Sequence, residues 1–211
     1  TQFPILMGNW DLSNEDQSKG HGLKYQERIL DFDTDRQIAK YMIKHVGNID
    51  VAIFGLTIDQ MEVLASPDPD TPFKNAIETA KSTMQFLADK GIDNVIIVSH
   101  LGYEADKQLA QSVSGIDLII GGHSHVLQGD FTEIGLEERA SYGERVNGTH
   151  IVQAGCHALA LGYCDLTYSN EGELIGFNGQ NSLLIDDVAY TDKTCSHQVE
   201  ASQLSKITKN K

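Results

Sequence analysis

Apolar residues along the chain recur at two spacings, and the spacings place the elements. Near-continuous apolar runs at 49–57 (IDVAIFGLT), 94–100 (NVIIVSH) and 117–120 (DLII) predict buried strands. Phe73, Ile77, Ala80, Met84 and Leu87 recur every three or four residues, the apolar face of a helix ending near Gly91. The Pro-rich stretch 66–73 before it must be loop, and its end predicts a helix start with Thr71 as N-cap and Pro72 at the first helical position. Residues 104–113 (EADKQLAQSV) predict a second, short helix, with Gly115 just beyond its end. Strand, short helix and strand over 94–120 make a βαβ unit, so those two strands should run parallel.

The remaining pattern is weaker. Residues 3–10 (FPILMGNW) predict a short buried strand ending in a turn, 11–24 a polar loop, and 25–32 an edge strand. Residues 34–46 are ambiguous: Ile38, Met42 and Val46 have helical spacing, yet YMIKHV is rich in strand formers. A long polar loop is expected over 126–149. Three strands follow at HIVQAG, GYCDLTYS and ELIGFNG, the last two joined by a hairpin turn at NEGE. The polar end, 187–211, reads as a tail beyond a domain spanning 1–186.

Bulk properties narrow the class. The chain has 211 residues, 40% of them hydrophobic, enough for one domain with a real core. Its net charge of −14 argues against a nucleic-acid polymer or an anionic membrane as partner. No apolar run approaches the roughly 20 residues of a membrane span. The first residues, TQFPILMGNW, carry neither a basic leader region nor a cleavage site, so no signal peptide is expected within the chain. Three cysteines do not describe a disulfide framework, although Cys156 and Cys164 flank a short loop and could pair.

Chemistry concentrates at strand ends. His100 closes one predicted parallel strand, and His123 and His125 lie just past the next, in GGHSH. Ligands of parallel α/β sheets bind beyond the carboxyl ends of the strands, so these imidazoles should converge on one edge. In extended backbone, residues two apart point the same way, so His123 and His125 are expected on one side. Gly121 and Gly122 would allow a close backbone approach. Three nitrogens could hold one zinc with an open water position, whereas a two-metal site would need a bridging carboxylate that the neighbouring sequence lacks. Other candidates are bland. DFDTD (31–35) has Arg36 and Met42 where a calcium loop needs Gly and Glu. Glu104 and Asp106 fit a helix first turn, with a contact to His100 as the alternative. His157 sits between two strands and reads as structural. His21, His45, His150 and His197 have no partners at ligand spacing. No serine-hydrolase, P-loop or dinucleotide motif occurs.

Residues 98–125 (VSHLGYEADKQLAQSVSGIDLIIGGHSH) resemble the second half of the calcineurin-like metallophosphoesterase domain, in its 5′-nucleotidase and UDP-sugar hydrolase branch. FPILMGNW, VAIFGLT and IVQAGCHALALGYCDLTY resemble that branch's other strands, in the expected order over roughly 3–185. The resemblance implies an α/β fold, half of a two-sheet metallophosphatase β-sandwich flanked by helices. It implies His100 and His123 on one metal of a binuclear pair and His125 on the other, with zinc, manganese, iron or cobalt as the metals. It implies water attack on a nucleotide or nucleotide-sugar phosphoester, and a periplasmic or extracellular location. The family's D-x-H, G-D-x-x-D and G-N-H motifs are absent. GNW at 8–10 carries Trp10 in place of the His, and its setting matches the later F-P-x-L strand. The chain then looks like the middle of a longer protein, with three of roughly seven ligands that two-metal chemistry requires, and inactive by itself. Its partner would be the missing N-terminal half or a second copy. The competing readings are a non-catalytic metal-binding or interaction module and a mononuclear zinc hydrolase.

Overall fold

The computed structural model describes residues 2–16, 18, 22–24, 26–132 and 135–183. The three apolar runs become the centre of a six-stranded sheet. In chain order its strands are β5 (Tyr41–Val46), β6 (Ile49–Thr57), β7 (Asn94–His100), β8 (Leu118–Ile120), β9 (Glu144–Val146) and β10 (Thr149–Val152), and across the sheet they run β5-β6-β7-β8-β10-β9. β6, β7, β8 and β10 are parallel, while β5 and β9 are antiparallel edges. The βαβ expectation is met: α3 (Tyr103–Ser112) connects β7 to β8, paired Ile96 to Leu118 through Val98 to Ile120.

One face of the sheet is packed under the helices. Ala52, Phe54, Leu56, Val95, Ile97, Ile119 and Ile151 are buried there with Ala80 and Leu87 of α2 (Ala76–Ala88) and Leu109 of α3. The other face is partly covered by the hairpin of β11 (Ala160–Tyr168) and β12 (Leu174–Leu183), where His150 stacks on Phe177 at 4.3 Å. Val98 and Ile120 remain 40% and 42% exposed.

Four short strands lie at the N-terminal side: β1 (Ile5–Leu6), β2 (Ile29–Leu30), β3 (Phe32–Asp33) and β4 (Ile38–Ala39). The ambiguous segment 34–46 holds no helix: it is a turn over 34–37 followed by the strands β4 and β5, and the edge strand expected over 25–32 is two short pieces, β2 pairing parallel with β1. β1 leads into a tight crossing over β6. A Cβ on Gly8 would lie 1.6 Å from the Gly55 carbonyl oxygen, so backbone meets backbone there. Asn9, fully buried, then clamps the end of β6: its side chain donates to the Thr57 and Lys74 carbonyls and accepts from the Thr57 N–H.

That crossing corrects the predicted helix start. Asp11 N–H donates to the Pro72 carbonyl and Lys74 N–H to that of Asn9, which draws Phe73 into a bridge with Trp10, ring centres 5.0 Å apart. These pairings outweigh the pull of Pro72 towards a helix. Asn75, not Thr71, is the N-cap, accepting from Glu78 N–H. A one-turn helix, α1 (Met61–Leu64), and β9 had no clear sequence signal. Cys164 is a free thiol, so its pairing with Cys156 does not form. Residues 187–211, His21, Cys195 and His197 lie outside the described residues.

Candidate metal centre

The carboxyl ends of the parallel strands form one edge. Thr57 stands in register with His100, and Gly121 N–H donates to Val152 at the end of β10. His100, His123 and His125 all reach this edge, but not as expected from an extended loop. His123 and His125 have φ of 68° and 58°, left-handed backbone that few non-glycine side chains other than Asn, Asp and His enter readily. Ser124 N–H donates to the Gly122 carbonyl two residues back, which makes His123 the centre of a γ-turn of the rarer, positive-φ kind. The two rings consequently diverge. His123 faces His100, ring centres 5.2 Å apart, and His125 faces His157 at 5.8 Å. Among the described residues, no three His, Cys, Asp or Glu side chains converge as a metal cluster.

The first pair suits a common metal. Zinc–nitrogen bonds are about 2.0–2.1 Å, so two imidazoles on one tetrahedral ion have ring centres roughly 5 Å apart. Burial, then the neighbouring His123 and His125, lower the pKa of His100 below the ordinary imidazole value, which keeps its lone pair available at neutral pH. Gly122 provides the room: a Cβ there would lie 3.1 Å from His100 Nδ1.

The loop is held by residues that sequence reasoning did not single out. Gln153, 2% exposed, accepts from Ser124 Oγ and Val126 N–H and donates to the Gly122 carbonyl. Its own backbone is pinned by Gln128 and Asn181. Ser124 Oγ also accepts from Tyr103 N–H, so the histidine loop caps the start of α3. A polar residue directly after an apolar strand, in VQA, was the only signal for Gln153.

Asp106 departs from its expected role. It is fully buried, away from the helix-end solvent, and accepts from Ser99 Oγ beside the Gly121 backbone. Burial raises its pKa to about 7, against the opposing hydrogen bond from Ser99. The folded value exceeds the unfolded one, so the stabilisation is complete below pH 3.8 and is lost as pH rises through about 7. Unfolding in urea should show a loss on the order of 2–3 kcal/mol between about pH 5 and pH 8, absent in Asp106→Asn. An unchanged pH profile in that variant would contradict the assignment.

The other candidates resolve plainly. Asp33 pairs with Arg36 at 2.6 Å, so DFDTD forms a turn with its own cation. Glu104 lies 3.8 Å from Lys107 on the helix surface. His45 and His150 engage Asp50 and the Gly143 carbonyl. His157, read as structural from sequence, instead stands beside His125.

Residues 2–127 match the calcineurin-like phosphoesterase family. The chain belongs to that family. Its relatives include the trifunctional nucleotide phosphoesterase protein YfkN of Bacillus subtilis, 32% identical over 81% of this chain and 11% of that protein. A 5′-nucleotidase of Diplobatis ommata is 27% identical over 88% of the chain and 31% of its own length. Among solved structures, a 5′-nucleotidase precursor from Thermus thermophilus superposes with a TM-score of 0.73 at 29% identity, over 87% of this chain and 34% of that one. This family member thus spans about a third or less of each of these relatives. Its mixed sheet with few helices is the metallophosphoesterase fold, as the resemblance implied. No described helix is long and apolar enough to cross a membrane.

Proposed function

We propose that this chain supplies the imidazole side of a binuclear metal centre in a phosphoester hydrolase acting on nucleotides or nucleotide sugars. The observation that carries the reading is the facing pair His100 and His123 at the carboxyl edge of the sheet, 5.2 Å apart. His100 and His123 would hold one divalent ion (zinc, manganese, iron or cobalt) and His125 would contribute to a second. Ions bound there would supply Lewis-acid polarisation of a phosphoryl oxygen and acidify a water. The chain's own part is positional. Gln153 and Ser124 fix the loop, Gly122 makes room for the His100 ring, and the depressed His100 pKa keeps that ring neutral. The segment 1–186 would be the C-terminal half of the phosphoesterase domain and 187–211 a tail. Breakdown of nucleotides outside the cytoplasm fits a relative named as a precursor.

The test is a zinc titration read by the imidazole nitrogens in NMR. His100 and His123 should shift together with the first equivalent, and His123→Ala should abolish the shift at His100. Shifts confined to His45 and His150 would contradict the reading. The exposed Val98 and Ile120 favour a second reading, an interaction module whose open sheet face takes a partner such as the missing half or another copy. The three-histidine mononuclear zinc reading has no geometric support, because His125 pairs away from the other two.

A further inference from the structure

We infer that His125 and His157 form a second bis-imidazole site for a nitrogen-preferring divalent transition ion, with His157 as a ligand. The inference rests on the reading of 121–125 as a metal loop. Two loops bring these rings together, and both are fixed. Val126, next to His125, donates its N–H to Gln153 Oε1 and accepts from Gly155 N–H, and Leu127 bridges Ala154. The loop that follows β8 and the loop that follows β10 are thereby fastened to each other, one histidine on each.

The turn carrying His157 is shaped to present it. Leu159 N–H donates to the Cys156 carbonyl, and both central residues, His157 and Ala158, have positive φ, 56° and 57°. Such turns ordinarily take Asn and Gly at those positions, so a His–Ala pair there is held at a conformational cost. His125 is left-handed too. The rings lie 5.8 Å apart, tilted by 58°, both on exposed residues. A shared ion needs their centres at roughly 5 Å, a closure of about an ångström or less by side-chain rotation. The contrast with other histidines is informative. His45 Nδ1 meets a carboxylate and His150 Nδ1 a carbonyl, whereas at this edge His125 and His157 face each other. Imidazole pairs select zinc, cobalt or nickel over magnesium and calcium.

Cobalt(II) titration near neutral pH, followed by its visible absorption and by equilibrium dialysis, tests this. The wild-type chain should bind two equivalents. His157→Gly, which relieves the left-handed backbone while removing the ring, should lose one of them, weakening it by at least about tenfold, with far-UV circular dichroism unchanged. His123→Ala should lose the other. Two equivalents retained by His157→Gly with unchanged affinity would overturn the inference and leave the His100–His123 reading standing. Loss in His157→Gly together with no loss in His123→Ala would support the His157 site and overturn the first pair.

Discussion

Replacing Gln153 with methionine should destabilise the chain by about 3 kcal/mol and weaken zinc binding at His100 and His123 by roughly 10–100-fold. Methionine preserves length and apolar volume but removes every polar contact of the side chain. Val126 N–H and the Gly122 carbonyl then lose their partner, and Ser124 Oγ loses its acceptor. A group left unpaired in a buried setting costs on the order of 1–3 kcal/mol, and these part-buried groups, with water able to reach Ser124, should each cost less than the full amount. The metal effect has a different origin. His123 keeps its left-handed backbone only because Gly122 and Ser124 on either side of it are fixed. Freed from Gln153, the γ-turn should relax and carry the imidazole away from His100. Leu87→Ala is the control. It empties a core site at a comparable cost but lies under the sheet, so it should leave zinc affinity unchanged. Equal losses of affinity in both variants would show that Gln153 acts on stability alone.

Gly55→Ala should be nearly as severe through the backbone. A Cβ at 55 would stand 2.1 Å from the Leu6 carbonyl oxygen, a contact no side-chain rotation relieves. β1 must then lift from β6 and take Asn9 with it, releasing Thr57 and Lys74. A loss of about 3 kcal/mol is expected, with a lowered urea midpoint and new protease cleavage within residues 1–30. Wild-type stability in this variant would mean that β1 does not cross where described. Thr57 stands in register with His100, so the same change should also loosen the edge that carries the imidazoles.

The parallel core and the place of the histidines were legible because both follow from local pattern. β6 and β7 are apolar on both faces, and their ends name the edge at which ligands gather. What sequence could not supply came from contacts between distant segments. The start of α2 depends on Asn9 and Trp10, more than sixty residues away, so Thr71 and Pro72 misled. The pairing of His125 with His157 depends on left-handed backbone in two separate loops, whose meeting apolar spacing does not reveal. Asp106 looked like a solvated helix-start carboxylate, yet Gly121 leaves just enough space for it to be buried against Ser99.

On the proposed function, His100, His123 and His125 are metal ligands, and among the described residues no acidic side chain joins the histidine pairs to bridge two ions. Phosphate release from AMP by the purified chain in the presence of manganese tests it most directly. The expected result is metal bound at His100 and His123 with no release above that of manganese in buffer. Turnover by the chain that His123→Ala abolishes would contradict it.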